Sequence, residues 1–222
     1  KKSRAFVRYQ MTAGNSSLLS SPRTKGRPRS FDRNQALMTA LRIFWKLGYE
    51  PASVAVLCEA MGIKPPSFYA AFKSKEELFL EAVNFYEARY WADVLKKFEE
   101  SSKPIDVALA EFFQEAASIL LNPDNPSGCM VVLAAVNIAP KEKRIAEAVK
   151  KLRSQTRDFF ERRLKKSQDA GEISPEANIS ALADALNIVL EGMSIQAKDN
   201  MPLQTLEQAV ECVPNMLRPY LS

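Results

Sequence analysis

Apolar residues recur every three or four positions along nearly the whole of this chain, and no stretch sustains the strict alternation of a half-buried strand. That period puts the apolar side chains on one face of a helix, so an all-α fold is expected. The breaks coincide with residues that cannot continue a helix. Gly48, Gly62, Asn122 to Pro126, Pro140, Gly171 to Pro175 and Asn200 to Pro202 divide the sequence into segments. The longer predicted helices cover 105–121, 128–138, 141–170, 176–198 and 203–220. With 222 residues, 46% of them hydrophobic, the chain can bury a substantial core.

The first third has finer punctuation. Residues 1–25 are polar, Ser-rich and basic without periodicity, and are expected to form a disordered arm; residues 1–10 are not followed by an apolar run, as a signal peptide would be, and Met11 is a candidate start. Asp32 is placed to cap a first helix whose stripe is Ala36, Leu37, Ala40, Leu41, Phe44 and Leu47, ended by Gly48. Ser53 is placed to cap a short second helix with Val54, Leu57, Cys58 and Met61 on its apolar face. After Gly62, Pro65 opens a third helix through Phe72, since a first-turn residue has no use for its N–H. Ser74 and Glu77 form a capping-box pattern ahead of Leu78, Phe79, Ala82, Val83 and Tyr86.

Charge separates this region from the rest. Residues 1–81 carry 14 Lys and Arg against 6 Asp and Glu, whereas residues 82–222 carry 17 against 20. A basic portion on a slightly acidic remainder points to a polyanionic partner for the first third alone. The chain has no histidine, which removes the commonest general base and metal ligand. Its three cysteines, Cys58, Cys129 and Cys212, have no metal-site spacing and fit a reducing, cytoplasmic setting. There is no apolar run of membrane-spanning length, no Gly-rich phosphate loop and no local carboxylate pair. Neither an enzyme, a cofactor, a metal nor a membrane partner is expected.

Two short helices joined by a Gly-containing turn and preceded by a longer one make a helix-turn-helix, whose second helix fits the major groove of B-DNA. The run Ala36-Leu37, Phe44, Gly48-Tyr49, Ser53-Val54, Met61-Gly62-Ile63, Ser67-Phe68-Tyr69 and Phe72-Lys73-Ser74-Lys75-Glu76-Glu77-Leu78 closely resembles the DNA-binding domain of TetR (tetracycline-repressor-like) regulators over about 50 residues. The resemblance implies an N-terminal three-helix DNA-binding domain at 26–86 and a C-terminal helical-bundle domain at 87–222 for effector binding and dimerisation. It also implies that Ser53, Tyr69 and Lys75 contact phosphates, and that Lys64, Pro65, Pro66, Ser67 and Ala70 face the bases; Lys73 belongs to the same basic surface. A position that is often histidine in the family is Ala71 here, so one phosphate contact is missing. Just ahead of the first helix, Arg27 and Arg29 fit either minor-groove insertion or a solvated tail.

The remainder offers a second set of expectations. The 176–198 helix has two apolar faces, one of them Ala181, Ala185, Ile188, Gly192 and Ile195. With Val210, Val213 and Leu217 from the last helix, that face is expected at a homodimer seam matching a two-fold symmetric operator, unless both faces lie inside one core. Phe85, Trp91, Phe112, Phe113, Met130, Leu133 and Asn137 are candidate linings for a small hydrophobic effector, or plain core. Cys129, after Gly128 at a helix start, is a place where a thiolate would be stabilised, with a buried structural thiol as the alternative. The expected function is a sequence-specific DNA-binding transcriptional regulator, a repressor released by a small molecule. Against it stand an effector-independent architectural protein and a helical enzyme or scaffold that merely contains a helix-turn-helix.

Overall fold

The computed structural model describes residues 31–136 and 138–221, so the arm with Arg27 and Arg29, and Asn137 of the expected effector pocket, lie outside the described residues. The described residues form helices joined by turns and short loops, and the one extended pairing among them is an isolated bridge between Ile173 and Leu221. The helices are α1 Arg33–Leu47, α2 Val54–Met61, α3 Pro65–Phe72, α4 Lys75–Tyr86, α5 Ala92–Glu100, α6 Ile105–Leu120, α7 Met130–Leu133, α8 Lys143–Asp169, α9 Ile179–Lys198 and α10 Leu203–Val210. A π-helical turn, Glu87–Trp91, joins α4 to α5, and a 3₁₀ turn, Pro214–Tyr220, closes the chain.

The expected caps form. The Asp32 carboxylate accepts from the amides of Asn34 and Gln35, and Ser53 Oγ from Val56 at 3.2 Å; a further cap, not expected, is Asn178, whose Oδ1 accepts from Ala181 at 3.0 Å. The capping box is only half made. Ser74 Oγ accepts from the Glu77 amide at 3.0 Å, but the Glu77 carboxylate turns away to Arg144 and the Ser74 amide donates to Phe72 O instead.

The stripe on α1 also differs at one place. Leu47 is exposed, and Trp45 is buried in its stead, its indole N–H donating to Gly128 O at 2.7 Å. Trp45, four residues after Leu41, widens the stripe at its edge, whereas Leu47 lies on the line of the stripe but at the last residue of α1. Around Trp45 and Phe44 an aromatic cluster ties α1 to α4 and the π turn. Phe44 meets Phe79 edge-on at 5.0 Å, and Trp45 meets Tyr86 at 4.7 Å.

Three expected helices shorten. The 128–138 helix shrinks to α7, and Gly128 explains its start. At φ 82° it passes so close to α9 that a Cβ would strike Leu133 and sit 2.7 Å from Ser194 O. The 203–220 helix ends at Val210 and tightens to i→i−3 bonds, such as Val213 N to Val210 O at 3.0 Å, before Pro214. The 176–198 helix waits for its cap at Asn178. In the bundle, Phe98, Phe112 and Phe113 gather on Phe160, with ring centroids 5.2–5.9 Å from it. No described helix is long and apolar enough to cross a membrane, and no three metal-ligating side chains cluster among the described residues.

Candidate nucleic-acid interface

The second helix of the helix-turn-helix is held from beneath. Phe68 and Phe72 are buried against α1, α2 and α4, and each such side chain contributes roughly 1.5–3 kcal/mol by leaving water. Gly62 sits in the left-handed region at φ 64°, where any other residue except Asn or Asp is strained, and turns the chain from α2 into α3. With its underside fixed, α3 presents Pro65, Pro66, Tyr69 and Ala70 to solvent, flanked by exposed Lys64 and Lys73, while Ser67 is half-buried. The surface expected from the sequence is therefore contiguous.

Hydrogen bonding refines the role each group can take. The two prolines leave α3 without backbone donors at its first two positions, and the next two amides, of Ser67 and Phe68, return to Lys64 O at 2.9 and 3.1 Å. The leading end of α3 therefore has little to offer a phosphate through its backbone, and side chains must carry the contacts. Ser53 uses its oxygen as acceptor for the Val56 amide and keeps its hydroxyl proton to donate outward. Tyr69 is half-exposed with its hydroxyl free of protein partners among the described residues.

Lys75 behaves otherwise than expected. Its Nζ lies 4.1 Å over the Tyr49 ring and donates to Tyr49 O at 2.8 Å and Glu50 O at 3.4 Å; burial pushes its pKa down. The ammonium thus closes the turn after α1, with one of its three donors left over. Lys73 has φ 66°, a conformation few residues with a Cβ adopt, and it makes the sharp turn into α4.

Behind this face the first four helices are fastened to the rest of the molecule at several places. Trp45 donates to Gly128 O, the Tyr49 amide to Ala134 O at 2.8 Å, and the Ala139 amide to Glu50 Oε1 at 3.0 Å. Arg144, at the start of α8, bridges Glu76 and Glu77 on α4. The helix from Lys75 to Glu100 runs through the expected domain boundary at residue 86 without a break, its π turn the one irregularity.

A small cleft of about 30 Å³ opens where that π turn meets α7, α8 and α9. Of the six described residues expected to line a pocket, Trp91 alone lines this one. Phe112 and Phe113 belong to the phenylalanine cluster, Met130 is wholly buried, Leu133 packs under Gly128, and Phe85 is half-buried elsewhere. Large aromatic residues made the better core and so left the cleft to mixed company. Its polar members, Glu87, Arg153, Thr156, Asn187, Glu191 and Ser194, went unnoticed in the sequence, although an acid or amide inside an otherwise apolar helix face is a signal that can be searched for. Cys129 also lines the cleft, but burial and the neighbouring Glu87 push its thiol up to about 12, so it stays protonated, as the buried structural thiol of the two readings.

On α9, Ile188 is 69% exposed and Ile195 52%, with Ala181 exposed and Ala185 and Gly192 half-exposed between them. Val210, Val213 and Leu217, expected beside them, are instead buried within the protomer, where α10 and the 3₁₀ turn close over α6. Leu203, Met216 and Tyr220 are the exposed apolar residues of that region.

A helix-turn-helix with a solvent-facing second helix, carried on a helical bundle, defines a DNA-binding transcriptional regulator. Residues 36–82 match the family described as bacterial regulatory proteins, tetR family, and residues 107–212 match the tetracyclin repressor-like C-terminal domain. The chain is 34% identical to the HTH-type transcriptional repressor ComR of Escherichia coli K12, over 84% of its own length and 89% of that protein's. It is 31% identical to the HTH-type transcriptional repressor BdcR of the same strain, over 83% and 88%. Among solved structures, a cysteine mutant of the TetR family regulator CifR, in complex with 26-bp double-strand operator DNA, superposes with a TM-score of 0.82 at 35% identity, covering 86% of this chain and all of that one. The chain belongs to the TetR family of transcriptional regulators.

Proposed function

We propose that this regulator is a repressor that binds a two-fold symmetric operator as a homodimer and leaves it when a small molecule enters the cleft beside the π turn. Residues 26–86 act as the reading head and 87–222 as the sensor and dimer body, with 1–25 as a basic arm that brings Arg27 and Arg29 to the duplex. Ser53, Tyr69 and Lys73 take phosphates. Lys64, Pro65, Pro66, Ser67 and Ala70 face base edges, where Ser67 can hydrogen-bond and the prolines and Ala70 make apolar contact. Lys75 acts mainly by holding the turn that precedes α2, with one donor left for a phosphate. The seam forms on α9 through Ala181, Ala185, Ile188, Gly192 and Ile195. The protein works in the cytoplasm, where the DNA is, and catalyses no reaction.

The observation that carries this reading is the double attachment of residues 128–134. Cys129, Val131 and Val132 wall the cleft, while the carbonyls of Gly128 and Ala134 accept from Trp45 and Tyr49 of the head. A ligand that favours a displaced α7 therefore favours a displaced head, by the difference in its affinity for the two arrangements. DNA complexes of a relative at 35% identity and the repressor function of two others support the same reading.

The test is selection of bound fragments from random duplex DNA by the full-length protein, followed by anisotropy titration and sizing. The expected result is a palindromic site, two chains per site, and affinity falling steeply with salt. Folded protein that selects no fragment at low ionic strength overturns the DNA reading, and a single chain per site overturns the dimer.

A further inference from the structure

The walls of the cleft are unevenly satisfied, and the imbalance has a sign. Asn187 Oδ1 is fully buried and accepts no hydrogen bond, although its amide N–H donates to Glu191 Oε1 at 3.1 Å and so fixes which way the group points. An orphaned carbonyl of this kind costs roughly 1–3 kcal/mol. Glu87, the first residue of the π turn, lines the same cleft, and no described side chain or amide donates to its carboxyl. Burial pushes that carboxyl up to about 7, so a nearby positive charge has much to stabilise.

Arg153 is the cation among the lining residues, and its Nη1 is turned to Val131 O at 3.2 Å. Two carboxyl groups and a bare amide oxygen thus face one guanidinium that is already engaged. Thr156, whose hydroxyl donates to Leu152 O, Ser194 and Cys129 complete the polar part of the wall, and Trp91, Val131, Val132 and Leu190 make its apolar part. A carboxylate ligand would meet Glu87 and Glu191. A hydrocarbon would leave Asn187 Oδ1 without a donor. An ammonium brings three donors and the missing charge.

We propose that this cleft binds a small aliphatic amine in its protonated form, the ammonium bridging the Glu87 carboxylate and Asn187 Oδ1 and the alkyl chain lying against Trp91, Val131 and Leu190. The assignment deepens the effector reading above and rests on it for its regulatory meaning, though not for the binding itself. The enclosed part of the cleft, about 30 Å³, takes the ammonium head, and the alkyl chain extends along the apolar wall toward the open mouth.

The experiment is calorimetric titration of the full-length protein, near pH 8, with butylamine, butanol and butyrate, alone and on operator DNA. Butylamine is expected to bind at least tenfold more tightly than butanol, and butyrate not at all. Glu87→Gln, which keeps shape and removes charge, is expected to weaken butylamine about tenfold while leaving butanol unchanged, and Asn187→Leu to weaken it as well. Butyrate binding as tightly as butylamine overturns the assignment, as does an unaffected Glu87→Gln protein, or a cleft that takes up none of the three and holds water alone. Should Glu87→Gln fail to fold, the ranking of the three ligands on the unaltered protein decides.

The two readings fail separately. Butylamine that binds without releasing operator DNA leaves the amine site standing and counts against the effector role. Release by an acid or hydrocarbon that butylamine cannot match supports an effector role and overturns the amine.

Discussion

The reading head and the cleft are about as far apart in character as two regions of a small protein can be. In the head the buried groups are aromatic and aliphatic, three of the four helices are capped by side chains, and the polar atoms that turn inward, Trp45 Nε1 and Lys75 Nζ, find carbonyls at 2.7–2.8 Å. Around the cleft an amide oxygen goes unpartnered, a half-buried carboxyl has its pKa pushed up by burial, and the helix that carries it is widened into a π turn. Full satisfaction gives a region a single low-energy shape. Incomplete satisfaction leaves a region whose energy depends on what enters it, and a regulator needs both kinds. The head has to meet a duplex with fixed geometry, while the cleft has to have a reason to prefer being filled.

The sharpest way to break the comparison is to loosen the head. Phe68→Ala removes a side chain with no exposed surface from beneath α3, and is expected to cost about 3–5 kcal/mol. Urea unfolding followed by circular dichroism reads the loss, and operator affinity should vanish before the bundle melts. A variant that binds DNA normally shows that α3 does not need its footing.

Next in size comes the cleft. Glu87 keeps its proton in the folded chain up to about pH 7, whereas an unfolded chain releases it near the ordinary value of 4.5. Between those values the folded state binds more protons, so this group makes stability fall as pH rises, by about 3 kcal/mol in all, with little further change above about pH 7. Glu87→Gln should therefore unfold at higher urea than the unaltered protein at pH 8, with the difference shrinking toward pH 5. Parallel pH profiles for the two proteins would mean that Glu87 is solvated and the contrast with the head is overstated.

How much of this contrast was legible beforehand follows the same division. The head is written in local signals, since Asp32, Ser53, Gly62, Pro65 and Ser74 each act within four residues of their position, and the helices begin and end where those residues say. The cleft is written in contacts between residues up to about a hundred positions apart. Nothing local tells Glu87 that Cys129, Arg153 and Asn187 will surround it, or that Phe112 and Phe113 will spend themselves on Phe160. The seam lies between these extremes. Periodicity found the exposed face of α9, but it assumed one straight helix through Leu217, and the tightening after Val210 turned Val213 and Leu217 inward.

The smallest expected effect separates folding from recognition at one residue. Lys73 occupies φ 66° and is exposed, so its side chain pays for a conformation that glycine adopts freely. Lys73→Gly is expected to raise the stability of the head by about 1 kcal/mol, because the strain removed slightly outweighs the extra freedom gained by the unfolded chain. The same change deletes a cation from the surface beside α3, so operator affinity should fall several-fold, and the salt dependence should lose about one phosphate for each head. Stability and affinity would then move in opposite directions, which no general loosening produces. A Lys73→Gly protein that is both less stable and unchanged on DNA would show that the residue is tolerated for its packing and takes no part in the interface.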